Sequence, residues 1–263
     1  MTTPTTLQPF QWKIPARITC CGRSNSGKTT EFARLVSQTP FGDNFQQVWL
    51  LGPTAANNIT WQKCKKITKV YPKFSEAVIT EIYKKAESLY TQAARQGKKH
   101  NTLLILEDCG GEKIKKHGNY NTALDAMYMN CKNIGLSVAI LVQNVNSLSI
   151  PAQENTDYLL LWMAGSETEQ LNIYKKFGGG PKKRFMRLML FVTRAEQGNY
   201  GYLFQDRTRP SSIQYYRKGY IKLDYDPYEG YGEEDFDENS SKPRKRKREP
   251  ETEAPESVKG VKK

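Results

Sequence analysis

The sequence predicts an α/β fold in which helices flank a mostly parallel sheet. Five short apolar runs, each bounded by turn-forming residues, have the near-continuous hydrophobicity of strands that are buried on both faces. These runs lie at residues 16–22, 47–53, 102–108, 136–144 and 158–165. Helix-like stretches alternate with them at residues 27–38, 75–96, 121–132 and 166–178. This alternation favours a parallel sheet whose ligands bind beyond the carboxyl ends of the strands.

The organisation of the chain indicates one domain at residues 14–223, preceded by an extension at 1–13 and followed by a charged tail at 224–263. Within the domain, residues 181–194 place apolar side chains on one helix face, and residues 200–206 are predicted to form a further strand. The tail has few apolar residues and segregated charge, which is typical of disorder. Its basic segment KPRKRKR resembles a nuclear import signal.

The formal net charge of +13 is unevenly distributed along the 263 residues. Residues 224–238 contain eight carboxylates and no base, and residues 242–263 contain nine bases and four acids, which leaves +16 on residues 1–223. Such a surplus on the folded part indicates a polyanionic partner such as nucleic acid.

The cysteines and the hydropathy pattern indicate the cellular compartment in which the protein functions. The five cysteines are odd in number, and their spacing with the two histidines does not predict a structural zinc site. Reduced thiols fit a cytosolic or nuclear protein. The chain shows neither a secretory signal at its start nor an apolar run long enough to cross a bilayer, so we expect it to be neither secreted nor membrane-spanning.

A phosphate-binding loop is predicted where the first strand gives way to the first helix. Gly22, Gly27, Lys28 and Thr29 satisfy the pattern G-x-x-x-x-G-K-[ST] in the order strand, loop, helix that the mechanism requires. The loop amides and the helix N-terminus attract phosphates, Lys28 would reach the β- and γ-phosphates of ATP, and the Thr29 hydroxyl would bind Mg²⁺. The remaining predicted nucleotide contacts are Arg23, Ser24, Asn25, Ser26 and Thr30.

Two further polar groups follow predicted strands. Glu107 and Asp108 end the strand at 102–108, where one carboxylate can hold Mg²⁺ and its neighbour can activate water. We assign Glu107 to the metal and Asp108 to general-base catalysis, and leave open the reverse division. Gln143 ends the strand at 136–144, where it could sense the γ-phosphate or cap a loop.

Taken in order, these elements resemble the viral genome-packaging ATPases related to the poxvirus packaging ATPase, within the FtsK/HerA superfamily of P-loop NTPases. The resembling features are GRSNSGKTT, LLILEDCGG, AILVQN and SIPAQENTDYLLLW, and the similarity covers roughly residues 14–208. It implies a RecA/FtsK-like fold and a homo-oligomeric ring that hydrolyses ATP to drive double-stranded DNA into a capsid. Expected partners are DNA and capsid or portal-vertex proteins, in the host nucleus or the virion.

Two departures from that family's pattern bear on the expected mechanism. The order Glu107 then Asp108 reverses the more usual order, and Gln153 stands where the family has the arginine of Arg-x-Asn-x-Asp. A trans-acting arginine would therefore come from elsewhere. The candidates are Arg184, Arg187, Arg194 and Arg207.

Other classes of protein remain open at this point. A viral helicase would share the loop and the basic charge, although an origin-binding domain is not expected before residue 14. A nucleotide kinase would leave the basic clusters KKITK, GKKH, GEKIKKHG and GPKKR unexplained. A noncatalytic protein that uses ATP only to assemble on DNA would not need both Glu107 and Asp108.

Overall fold

The computed structural model describes residues 10–109, 115–116, 119–120, 122–163, 165–194, 200–209, 213–226, 236–237 and 240–243. The strands are β1 (Arg17–Cys21), β2 (Gln47–Leu51), β3 (Lys69–Tyr71), β4 (Thr102–Glu107), β5 (Lys115–Lys116), β6 (Asn119–Tyr120), β7 (Leu136–Val142), β8 (Tyr158–Trp162), β9 (Tyr202–Asp206), β10 (Gln214–Arg217), β11 (Ile221–Lys222), β12 (Phe236–Asp237) and β13 (Ser240–Pro243). The α-helices are α1 (Lys28–Gln38), α2 (Ile59–Gln62), α3 (Glu76–Arg95), α4 (Thr122–Asn130), α5 (Ile150–Glu154), α6 (Glu167–Phe177) and α7 (Lys182–Arg194).

A nine-stranded sheet organises the chain in the order β11-β10-β9-β8-β1-β7-β4-β2-β3. All the pairings from β8 to β3 are parallel, and β9, β10 and β11 add antiparallel pairings at the other edge. The predicted α/β fold with a mostly parallel sheet is therefore confirmed. Helix connections on both faces explain why the central strands are apolar throughout.

Alternate residues of the central strands feed two separate cores. In β4, Leu104 and Leu106 pack on one face with α3, α4, α6 and α7, whereas Leu103 and Ile105 pack on the other with α1. Serine side chains cap several helices, as at Ser75, where the hydroxyl accepts a bond from the Val78 amide. Phe10 and Trp12, from the predicted extension, pack against rings of the second core.

The predicted elements agree with the structure to within a few residues. The apolar side of α7 is buried through Phe185, Met189 and Val192, as expected for a core helix. Elements shorter than five residues were not predicted, because so few residues show no periodicity. These are α2, β3, β5, β6, β10, β11, β12 and β13, and the five-residue α5 was also missed. The tail falls largely outside the described residues, within which β12 and β13 pair antiparallel. The cluster GEKIKKHG is described only at residues 115–116, in the hairpin of β5 and β6.

The cysteines are free and buried. Burial raises the pKa of Cys21, Cys109 and Cys131 to about 12, because the surrounding apolar groups cannot solvate a thiolate. These three thiols are therefore packing groups of low reactivity at neutral pH.

Asp157 ties together the amino ends of β1 and β8. Its carboxylate accepts bonds from the Arg17 amide at 2.7 Å, from Arg17 Nε at 3.3 Å and from Lys132 Nζ at 2.7 Å, and its side chain is only 10% exposed. Arg17 Nη1 also donates to Asn155 Oδ1 at 3.2 Å. A carboxylate with several charged donors fixes the entry of β8 beside β1.

We expect Asp157→Asn to lower the free energy of unfolding by about 2 to 3 kcal/mol, because a neutral amide cannot satisfy these donors. The matched control is Asp43→Asn, which removes an ion pair to Lys66 from a side chain that is 71% exposed, and which should cost below about 0.5 kcal/mol. Urea denaturation measures both. Equal losses for the two variants would show that Asp157 contributes no more than a surface charge.

Candidate functional site

The predicted site residues meet at the carboxyl edge of three adjacent strands. The phosphate loop follows β1, Gln143 follows β7, Glu107 ends β4 and Asp108 follows it. The sheet places β7 between β1 and β4. A cleft of about 270 Å³ opens at this edge. Its lining residues are Ser24, Asn25, Ser26, Gly27, Lys28, Thr29, Thr30, Asn58, Thr60, Glu107, Asp108, Leu141 and Gln143.

The backbone of the loop takes conformations that depend on its glycines. Gly27 caps α1 with φ 90° and ψ 6°, in the left-handed region that favours glycine. A Cβ on Gly22 would lie 2.5 Å from Cβ of Trp162, so only glycine fits there. The buried Ser26 hydroxyl has no hydrogen-bond partner within the described residues, which suits a loop that receives an anionic ligand.

Lys28 lies within the loop and is 7% exposed. Its ammonium donates to the carbonyl oxygens of Gly22 at 2.6 Å and Arg23 at 2.9 Å. Desolvation lowers the pKa of Lys28, and the negative charge of Asp108 is the largest of the opposing effects. A cation that is shielded from water attracts phosphate oxygens strongly, and the nearby carboxylates favour its charged form.

Glu107 is 3% exposed and accepts hydrogen bonds at both carboxylate oxygens. The Thr29 hydroxyl donates to Oε1 at 2.5 Å, and the indole N–H of Trp61 donates to Oε2. Burial raises the pKa of Glu107, and these two hydrogen bonds partly oppose the shift by favouring the carboxylate. The glutamate thus joins β4 to the first turn of α1 and to α2.

Asp108 takes a different position although it is the next residue. Its backbone has φ 50°, in the left-handed region, and its side chain is exposed. Gln143 Nε2 donates to Asp108 Oδ1 at 3.1 Å, so the two polar groups that follow β4 and β7 contact each other. A strained, exposed carboxylate held by an amide at a cleft is typical of a functional group.

The donor set fits Mg²⁺. The adjacent Thr29 hydroxyl and Glu107 carboxylate offer the oxygen ligands that Mg²⁺ prefers, beside a loop that suits phosphates. Within the described residues, the chain presents no group of three or more His, Cys, Asp or Glu side chains that could hold a metal without a substrate. Mg²⁺ characteristically binds through one or two protein groups together with the phosphates of a nucleotide.

Comparison with known proteins identifies the family. The model of the poxvirus A32 protein family matches residues 11–209, which is more than half of the chain. The chain belongs to this family. Membership confirms the predicted class, that of the viral genome-packaging ATPases. No curated protein sequence matches the chain.

Solved structures agree with the fold of an A32-family ATPase. B204, the DNA-packaging ATPase from Sulfolobus turreted icosahedral virus, has 13% sequence identity and a TM-score of 0.54, over 76% of this chain and 96% of that one. The genome packaging NTPase B204 from Sulfolobus turreted icosahedral virus 2, in complex with ATP-gammaS, has 13% identity and a TM-score of 0.52, over 76% and 95%. At this identity the likeness concerns the fold alone. None of the described helices is both long and apolar enough to cross a membrane.

The A32-family site contains residues that the sequence did not point to. Trp61, Thr60 and Asn58 belong to α2 or its cap. Asn58 and Thr60 line the cleft with the phosphate loop, and Trp61 contacts Glu107. Arg23 is exposed and is not among the residues that line the cleft. The other predicted nucleotide contacts line the cleft, except Gly22. The Gly22 carbonyl accepts a hydrogen bond from the Lys28 ammonium.

Three of the four arginine candidates, Arg184, Arg187 and Arg207, do not line the cleft. The Arg207 amide donates to the Asp157 carbonyl, at the sheet edge opposite the cleft, and its partly buried guanidinium lies 5.2 Å from the Phe177 ring. Arg184 stacks on Tyr225, Arg187 is exposed on α7, and the side chain of Arg194 lies outside the described residues. In the segment where the family's arginine is missing, Gln153 Nε2 donates to the Leu148 carbonyl at 2.7 Å.

We expect Glu107→Gln to raise the Tm at pH 7 by a few degrees. A carboxyl whose pKa is higher in the folded than in the unfolded chain destabilises the fold above its unfolded pKa, about 4.3 for glutamate, and has no such effect well below it. The difference in Tm between the variant and the wild type should therefore vanish as the pH falls from the raised folded-state pKa of Glu107 to below its unfolded pKa. The control is Glu81→Gln, at an exposed carboxylate. A lower Tm at pH 7 for Glu107→Gln would contradict the expectation.

Proposed function

We propose that this A32-family ATPase hydrolyses ATP with Mg²⁺ to move double-stranded DNA into a viral capsid. The observation that supports it most is the meeting of the phosphate loop with two carboxylates in different environments. Glu107 is buried against the Thr29 hydroxyl, and Asp108 is exposed beside Gln143. A hydrolase needs both a site for the metal and phosphates and a polar group that activates water.

The residues divide the work as follows. The loop amides and Lys28 bind the phosphates of ATP, and Lys28 exchanges its bonds to the carbonyls of Gly22 and Arg23 for bonds to phosphate oxygens. Thr29 and Glu107 hold Mg²⁺, which when bound neutralises charge on the phosphates. Asp108 accepts a proton from the attacking water, and Gln143 orients that carboxylate and contacts the γ-phosphate.

Duplex DNA is the proposed translocated substrate. The surplus of basic residues over residues 1–223 is suited to the phosphate backbone. Lys98 and Lys99, after α3, and Lys182 and Lys183, at the start of α7, are exposed cations from two of the predicted clusters. By contrast, Lys66 and Lys69 of the cluster KKITK pair with Asp43 and Glu81. The clusters GKKH and GPKKR are therefore stronger candidates for DNA contacts than KKITK.

The oligomeric state, the capsid partner and the location in the host are proposed from the family and from the charged tail. A homo-oligomeric ring would let neighbouring subunits supply an arginine to the cleft, since within the described residues none of the lining groups is an arginine. Capsid or portal-vertex proteins would receive the DNA. The basic segment at 242–248 would direct the protein to the host nucleus, ahead of incorporation in the virion.

Steady-state ATP hydrolysis with and without linear double-stranded DNA at low salt tests this function. We expect hydrolysis to rise with DNA in the wild type and to fall at least about 100-fold in Lys28→Ala, which loses the phosphate-binding cation. The control Lys63→Ala removes an exposed lysine that does not line this cleft. Nucleotide binding without turnover, with or without DNA, would instead indicate a noncatalytic assembly switch.

A second comparison separates the two carboxylates. Asp108→Asn should lower kcat by about 100-fold or more and change ATP affinity only a few-fold, because the amide keeps the contact with Gln143 but cannot accept a proton. Asparagine also tolerates the left-handed backbone of residue 108. Single-turnover hydrolysis and binding of a fluorescent ATP analogue measure the two quantities. A normal kcat in Asp108→Asn would show that a group other than Asp108 acts as the general base.

A further inference from the structure

Trp61 is a buried tryptophan at the edge of the candidate ATP site. It belongs to the four-residue helix α2, is 3% exposed, and packs in the same apolar core as Phe32 of α1 and Leu50 of β2. The Asn58 side chain starts this helix by accepting a bond from the Thr60 amide at 2.9 Å. Burial of the ring therefore fixes a short helix that has little stability of its own.

The indole N–H of Trp61 contacts Glu107 in a way that packing alone does not require. It donates to Oε2, while the Thr29 hydroxyl donates to Oε1 at 2.5 Å. The two donors bind different oxygens, so rotation of the carboxylate away from Thr29 would also break the bond to Trp61. Hydrogen bonds to an ionised acceptor are stronger and more directional than those between neutral groups.

Other tryptophans show that an indole N–H in this fold need not be directed to a carboxylate. Trp162 is 1% exposed and lies beside Gly22, but its indole nitrogen has no hydrogen-bond partner within the described residues. Trp49 is equally buried, and its indole donates to Gln47 at 3.3 Å. Gln47 starts β2, at the sheet edge opposite the cleft.

We propose that Trp61 is a positioning residue for ATP hydrolysis, which holds the Glu107 carboxylate toward Thr29 and the Mg²⁺ bound there. This inference rests on the proposed function and adds to it a residue that does not touch the nucleotide. The same contact fixes α2, which contributes Asn58 and Thr60 to the cleft wall. Groups that orient a metal ligand typically change metal affinity or activity 10- to 100-fold when they are removed.

The variant Trp61→Phe tests the proposal, because it keeps an aromatic ring and removes the donor. The Mg²⁺ concentration that gives half-maximal hydrolysis should rise about tenfold or more. Affinity for a fluorescent ATP analogue in the absence of Mg²⁺ should stay within about twofold, since the phosphate loop is unchanged. The control Trp49→Phe also removes a buried indole N–H, but away from the cleft, and should leave both quantities unchanged.

Solution NMR of the wild type gives a readout that does not depend on activity or on the folding of Trp61→Phe. The sequence has four tryptophans, so the indole N–H resonances can be assigned with the variants Trp12→Phe, Trp49→Phe and Trp162→Phe. The Trp61 resonance should be protected from solvent exchange. It should shift when nucleotide and Mg²⁺ are both added, and much less with nucleotide alone.

The outcomes separate this inference from the proposed function. If the wild type neither binds nor hydrolyses Mg²⁺·ATP, both the proposed function and the role of Trp61 are wrong. If the wild type is active, an unchanged Mg²⁺ requirement in a folded Trp61→Phe variant would overturn the positioning role alone. A Trp61 indole resonance that does not shift when Mg²⁺ is added with nucleotide would also overturn the positioning role alone.

Discussion

The pairing of β7 with both β1 and β4 is the constraint on which the site depends. Cys21 pairs with Val142, and Glu107 pairs with Leu141, so the ends of all three strands are level. The Gly22 amide then continues the ladder by donating to the Val142 carbonyl. Because strand residues alternate between the two faces, a slip of one residue between β4 and β7 would exchange the directions of Glu107 and Asp108. Register thus decides which carboxylate meets Thr29.

The two adjacent carboxylates differ because the strand ends between them. Glu107 still has strand geometry, so its side chain enters the space between the sheet and α1, where desolvation raises its pKa. Asp108 turns into the left-handed region and leaves its carboxylate in solvent beside Gln143. Two consecutive residues therefore supply one buried carboxylate and one solvent-exposed carboxylate. The proposed division of roles, with Glu107 on the metal side, rests on this difference and stays a prediction.

Sequence patterns predicted those features that the backbone or a long periodic run defines. The phosphate loop was recognisable because its glycines and Lys28 answer a requirement of the backbone itself, and the central strands because both of their faces are apolar. Trp61 was not recognisable, because α2 is too short to show periodicity and its contact with Glu107 spans 46 residues. The pairing of Asp157 with Arg17 was hidden for the same reason, since tertiary contacts between distant residues leave no local signal.

The hydrogen bonds already present in the cleft determine what ATP binding must achieve. Lys28 is bonded to two loop carbonyls and Glu107 to two donors, so at these two side chains a bound nucleotide with Mg²⁺ exchanges existing bonds for new ones. Such an exchange contributes little affinity by itself, because each broken bond offsets a new one. A net gain can come from the buried Ser26 hydroxyl, which has no hydrogen-bond partner within the described residues, and from the helix N-terminus that faces the phosphates.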